Sequence, residues 1–132
     1  MTTYFEKLKA LQQHAYAPYS NYQVASILVT EGGDEYPGVN VENASFGGTV
    51  CAERSAFFSA ISQVGQGKYR ALHLMAGDSM SFATPCGICR QVISELVDSG
   101  FEIIVYNAAG ASESYRIEDL LPHAFSKQQL EG

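Results

Sequence analysis

The sequence predicts an α/β protein: a three-layer α/β/α domain around a mixed, mostly parallel sheet of about five strands, with residues 1–132 forming a single domain. Three observations carry that expectation. Apolar residues recur at helical spacing in three segments, short β-type runs alternate with them, and the second half reads strand, helix, strand, which implies a parallel pair joined by a right-handed crossover. With 132 residues, 46% of them hydrophobic, the chain is long enough for one core and too short for two ordinary ones.

The elements follow in order. Phe5, Leu8, Leu11 and Ala15 share a helical face, and Pro18 stops the pattern. Residues 24–29 form an apolar β-type run, closed by Glu31-Gly32-Gly33-Asp34, and residues 35–41 return as the second strand of a hairpin. Ala52, Ala56, Phe57, Ala60, Ile61 and Val64 fall on one face, so Cys51 opens a helix that ends near Gly65. Residues 71–76 read as a buried strand before a turn at Gly77-Asp78-Ser79. Ile88, Val92, Ile93, Leu96 and Val97 mark a helix from Cys86 to Gly100, followed by a strand over 103–106. Residues 115–117 suit a last edge strand, and Leu120-Leu121-Pro122 a closing helical turn. Repeats, linkers and low-complexity segments are absent.

Composition narrows the function classes. A net charge of −6, with the eight basic residues scattered and not in runs, opposes binding to a phosphate backbone, so no nucleic-acid partner is expected. No stretch approaches the ~20 apolar residues that span a bilayer, and the first residues lack a basic region followed by an apolar run, so the expectation is a soluble, cytoplasmic protein without a membrane partner. Three cysteines leave one unpaired in any disulfide scheme, which favours reduced thiols. A small, uncharged or weakly charged ligand fits this balance best.

All three cysteines lie in two short segments, Cys51-Ala52-Glu53 and Pro85-Cys86-Gly87-Ile88-Cys89. Cys86 and Cys89 are three apart in a first helical turn, so both side chains can chelate one ion, and Cys51 must reach it from the other helix start. Unpaired N–H groups at both helix starts favour thiolate over thiol. Three protein ligands suit Zn²⁺ and leave its fourth position for water, which distinguishes a catalytic from a closed structural site. His14, His73 and His123 have no ligand-like spacing to any cysteine. Glu53, two residues after Cys51, can flank the ion without binding it and shuttle the water's proton. Three thiolates leave a zinc site with surplus negative charge. Arg54, three after Cys51, and Arg90, next to Cys89, are the candidate donors to sulfur, Arg54 the stronger. A lone Cys-x-x-Cys also serves as a redox dithiol or half of a structural zinc knuckle; the separate Cys-Ala-Glu is what favours catalysis.

With these motifs in place the chain resembles the zinc-dependent cytidine deaminases, whose signature is a His or Cys, x, Glu, then Pro-Cys-x-x-Cys. The resemblance extends through Tyr16-Ala17-Pro18-Tyr19-Ser20, Gly38-Val39-Asn40-Val41-Glu42-Asn43-Ala44-Ser45, Cys51-Ala52-Glu53-Arg54, Pro85-Cys86-Gly87-Ile88-Cys89-Arg90-Gln91 and Leu120-Leu121-Pro122-His123-Ala124-Phe125, nearly the whole chain. It implies zinc on Cys51, Cys86 and Cys89, and Glu53 carrying the water proton first to the pyrimidine ring nitrogen and then to the departing amino group. It further implies Asn40 and Glu42 as the ribose-binding pair, Tyr22 against the pyrimidine face, and backbone contacts from Ala44 and Ala52. Phe125 matches a phenylalanine that short members insert into a neighbouring subunit's pocket, which implies a homotetramer acting in pyrimidine salvage.

The chain departs from the family in one stretch. Val24-Ala25-Ser26 stands where members commonly have Gly-Ala after the valine, and Phe46 replaces a frequent tyrosine. The Val-Ala-Ser run is similar to the blasticidin S deaminases, whereas Glu42-Asn43-Ala44-Ser45 and Arg54 resemble cytidine deaminases. Cytidine and 2′-deoxycytidine are therefore the expected substrates. The alternatives are another cytosine nucleoside such as blasticidin S, and a non-catalytic, zinc-stabilised binding protein.

Overall fold

The computed structural model describes residues 2–131; the outermost positions of the expected domain, 1 and 132, lie outside the described residues. Helix α1 (Tyr4–Gln12) begins at Thr3, whose hydroxyl accepts the Glu6 N–H, and ends before Pro18 as Gln13 N–H turns back to Ala10 and Leu11. Strands β1 (Val24–Thr30) and β2 (Glu35–Val39) form the expected hairpin, turned through Gly33 at φ 95°. Helix α2 (Ala52–Val64) follows Cys51 and is closed by Gly65 at φ 79°. Strand β3 (Tyr69–Ala76), helix α3 (Gly87–Leu96) and strand β4 (Glu102–Tyr106) make the crossover unit, and β5 (Ser112–Arg116) returns beside β4. Two short helices, α4 (Ile117–Leu120) and α5 (Lys127–Glu131), complete the described chain.

The five strands lie in the order β2-β1-β3-β4-β5, a mixed sheet as expected. It is not mostly parallel, however: only β3 and β4 run parallel, while β1 with β2, β1 with β3, and β4 with β5 are antiparallel. Short turns force both hairpins to be antiparallel, and α3 supplies the single crossover between neighbouring strands. The expected edge strand starts earlier than residue 115, and Ile117 already opens α4. Helix α3 ends at Leu96 and does not reach Gly100, because Val97 turns to extended backbone and packs against the core.

Strand alternation sorts side chains between the two helical layers. Leu28, Leu72 and Leu74 join Phe57 of α2 and Ile93 of α3 on one face. Ala25, Ile27, Val29 and Met75 meet Leu8 of α1 on the other. Phe57 is fully buried, packed edge-on against Tyr69 at 5.2 Å between ring centroids; truncating it to alanine would cost about 3–5 kcal/mol. This core holds the starts of α2 and α3 side by side at one edge of the sheet's helical layer.

Candidate active site

The two adjacent helix starts bring the thiols together. Cys51 precedes α2 and Cys86 precedes α3, both in extended backbone, while Cys89 sits in the first turn of α3. Their three sulfurs lie within 4.8 Å of one another, with Cys51 Sγ and Cys86 Sγ at 3.7 Å. Tetrahedral coordination at the usual Zn–S length of ~2.3 Å requires sulfurs about 3.8 Å apart, so this donor set fits a zinc ion. Cys89 is buried, Cys51 partly so and Cys86 exposed, which leaves the cluster open on one side.

The thiols of the cluster differ in acidity. The hydrogen bond with Cys89 pulls Cys51 down to about 5, against partial burial and with help from Arg54, whose Nη2 lies 3.5 Å from the sulfur. That same bond, with burial and the nearby Glu53, pushes Cys89 up. A divalent ion would displace the remaining protons. Arg90, expected at sulfur, spends its guanidinium on three oxygens instead: Nε on the Pro85 carbonyl at 2.7 Å, Nη1 on the Leu120 carbonyl at 2.8 Å and Nη2 on Thr84 Oγ1 at 2.7 Å. It ties the loop before Cys86 to α4 without touching a thiol.

Glu53, the second residue of α2, is 4% exposed and lines the same cavity as Cys51 and Cys86. Burial, reinforced by the Cys51 charge, raises its carboxyl to about 7. The cavity holds about 280 Å³, and its lining includes Tyr22, Asn40 and Glu42. Tyr22 lies against Gly77, where φ is 63° and a Cβ would come within 2.7 Å of the ring. Asn40 braces the strand entry, accepting the Val24 N–H at 2.9 Å and donating to the Tyr22 carbonyl at 2.8 Å. Glu42 accepts the Tyr19 and Ser20 N–H groups and the Ser20 hydroxyl, and the hydroxyl above all holds its carboxyl below the usual range.

Four sequence-predicted residues lie elsewhere. Ala44 is on an exposed loop, and Phe125 is 55% exposed with its carbonyl held by Gln91 Nε2 at 2.7 Å. The Ala52 side chain is fully buried under α2, and Arg90 lies outside the lining, as above. Ala25 and Ser26, where the sequence departs from its family pattern, are fully buried and do not line the cavity. Sequence reasoning missed Ser20, which fixes Glu42, and Thr84, which lines the cavity and anchors Arg90; the Tyr16 to Ser20 motif was the available signal for the first.

Residues 1–106 match the family model described as the cytidine and deoxycytidylate deaminase zinc-binding region. The chain is 41% identical over 122 residues to the cytidine deaminase of Sporosarcina psychrophila, covering 92% of this chain and 88% of that protein. Over 119 residues it is 38% identical to the cytidine deaminase of Halalkalibacterium halodurans. The crystal structure of cytidine deaminase from Burkholderia pseudomallei superposes with a TM-score of 0.84 at 40% identity, over 94% of this chain and 100% of that one. That from Mycobacterium tuberculosis gives 0.73 at 34% identity, over 94% and 98%.

Proposed function

The chain belongs to the cytidine and deoxycytidylate deaminase zinc-binding family, and from that premise we propose that it hydrolyses cytidine and 2′-deoxycytidine to uridine and 2′-deoxyuridine with release of ammonia. The observation that carries this reading is the buried Glu53 carboxyl in one cavity with Cys51 and Cys86, two members of a zinc-fitting group of three thiols. When bound, zinc on Cys51, Cys86 and Cys89 supplies Lewis acidity that makes a water a good nucleophile near neutral pH.

The chain's own residues do the rest. Glu53, buried in the cavity beside Cys51 and Cys86, takes a proton from the attacking water and gives it to the ring nitrogen N3. The water oxygen bonds to C4. Glu53 then passes the second water proton to the amino group, the C4–N bond breaks, and ammonia leaves as C4 becomes a carbonyl. Tyr22 provides an apolar face for the pyrimidine, while Asn40 and Glu42 read the ribose hydroxyls, held in place by their bonds to residues 19–24. Arg54 offsets thiolate charge.

The reading includes a single catalytic domain over residues 1–132, a cytoplasmic role in pyrimidine salvage and a homotetramer in which exposed Phe125 enters a neighbouring pocket. Among the described residues no helix is long and apolar enough to cross a membrane. Ultraviolet absorbance on separate addition of cytidine, deoxycytidine and blasticidin S tests the substrate: turnover of the first two is expected, and turnover of blasticidin S alone would replace them.

A further inference from the structure

Ser26 and Gly38 are cross-strand partners in β1 and β2, and both face the start of α2. The Ser26 hydroxyl, fully buried, donates to the Ala52 carbonyl at 2.9 Å. Across from it, a Cβ on Gly38 would stand 2.3 Å from that same oxygen and 2.5 Å from Ala56 N, so the helix backbone rests directly on the strand. Ala52 is the residue between Cys51 and Glu53.

We infer that Ser26 and Gly38 form a seat that fixes the first turn of α2, and that Ser26 is a positioning residue for Glu53 and Cys51. Gly38 permits the approach and sets its distance; the Ser26 hydroxyl sets the turn's rotation by capturing one carbonyl. A buried hydroxyl needs some partner, but this one is aimed at the Ala52–Glu53 peptide, between the metal-ligand residue Cys51 and the side chain of the proton carrier. Ser26, within the Val-Ala-Ser departure, thereby acquires a role: it acts on the catalytic helix from behind and does not line the cavity.

As a claim about catalysis the inference rests on the proposed deaminase activity, so its test includes a readout independent of turnover. Ser26→Ala and Ser26→Thr are loaded with Co²⁺, whose d–d spectrum reports ligand geometry, and are assayed on cytidine when zinc-loaded. Ser26→Ala is expected to lower kcat about tenfold with KM within twofold, and to shift the cobalt bands at unchanged metal stoichiometry. Ser26→Thr, which keeps the hydroxyl, is expected to recover most of the rate. If the buried site cannot accept threonine, amide exchange in Ser26→Ala decides instead: acceleration confined to residues 52–56 supports the seat, and unaltered or uniformly altered exchange along α2 overturns it. Wild-type kcat and cobalt spectrum in Ser26→Ala also overturn it. Should the wild type deaminate no cytosine nucleoside, the functional reading falls while the spectrum still judges the seat.

Discussion

Replacing Gly38 with alanine tests how tightly the catalytic helix is seated. The added methyl would lie 2.3 Å from the Ala52 oxygen, 2.5 Å from Ala56 N and 2.9 Å from Ala56 Cβ, whereas ordinary contact starts near 3.4 Å. Two of these obstacles are backbone atoms that no rotamer change can move, so α2 and β2 must separate by about 1 Å. Overpacking of this kind costs about 1–3 kcal/mol, or a Tm lower by roughly 3–10 °C in a domain this size. The larger effect falls on turnover, because the displaced turn follows Cys51 and contains Glu53: a misplacement of about 1 Å costs on the order of 100-fold in rate. Thermal unfolding and steady-state kinetics with zinc-loaded protein measure both. A Gly38→Ala protein with wild-type Tm and kcat would refute the close seating of α2.

Three other outcomes follow from the same geometry. Arg54→Ala removes the guanidinium at the Cys51 sulfur and should weaken metal retention about 10–100-fold in a chelator competition; unchanged affinity and rate would remove Arg54 from the site. Asn40→Ala leaves the Val24 N–H and Tyr22 carbonyl without partners and should raise KM while costing about 1–3 kcal/mol in urea unfolding, whereas an unaltered KM would contradict a ribose contact. His73 is buried on the α1 face, stacked on Tyr4 at 3.7 Å with Nδ1 2.8 Å from the Tyr106 hydroxyl, and burial lowers it to about 4. The unfolded chain therefore binds more protons between about 6.5 and 4, so stability is full above that window and falls as pH drops through it. Wild type should lose up to about 2 kcal/mol more than His73→Phe between pH 7 and pH 5, and parallel profiles would contradict a neutral, buried ring.

The thiol cluster was legible because each cysteine is tied to a helix start that apolar periodicity and glycine punctuation locate closely. Arg54 was legible for a related reason, since residues three apart share a helix face. Adjacent residues do not, and Arg90 accordingly points away from Cys89 toward carbonyls that only the folded chain brings near. The strand directions went astray at β1 and β3, whose antiparallel pairing depends on how α2 returns the chain and not on any local run. Gly38 entered the sequence reading only as the first residue of the motif through Ser45, because the contact that requires a glycine there is made by a helix that packs over it. Phe125 shows only an exposed ring and a tethered carbonyl, as its proposed role requires another copy of the chain.

Glu53→Ala, compared with wild type for bound zinc and for ammonia released from cytidine, tests the central claim most directly. The account predicts one zinc per chain in both proteins, steady ammonia release from wild type, and a loss of at least about 1000-fold in the variant. Near wild-type release from Glu53→Ala at full zinc content would contradict it.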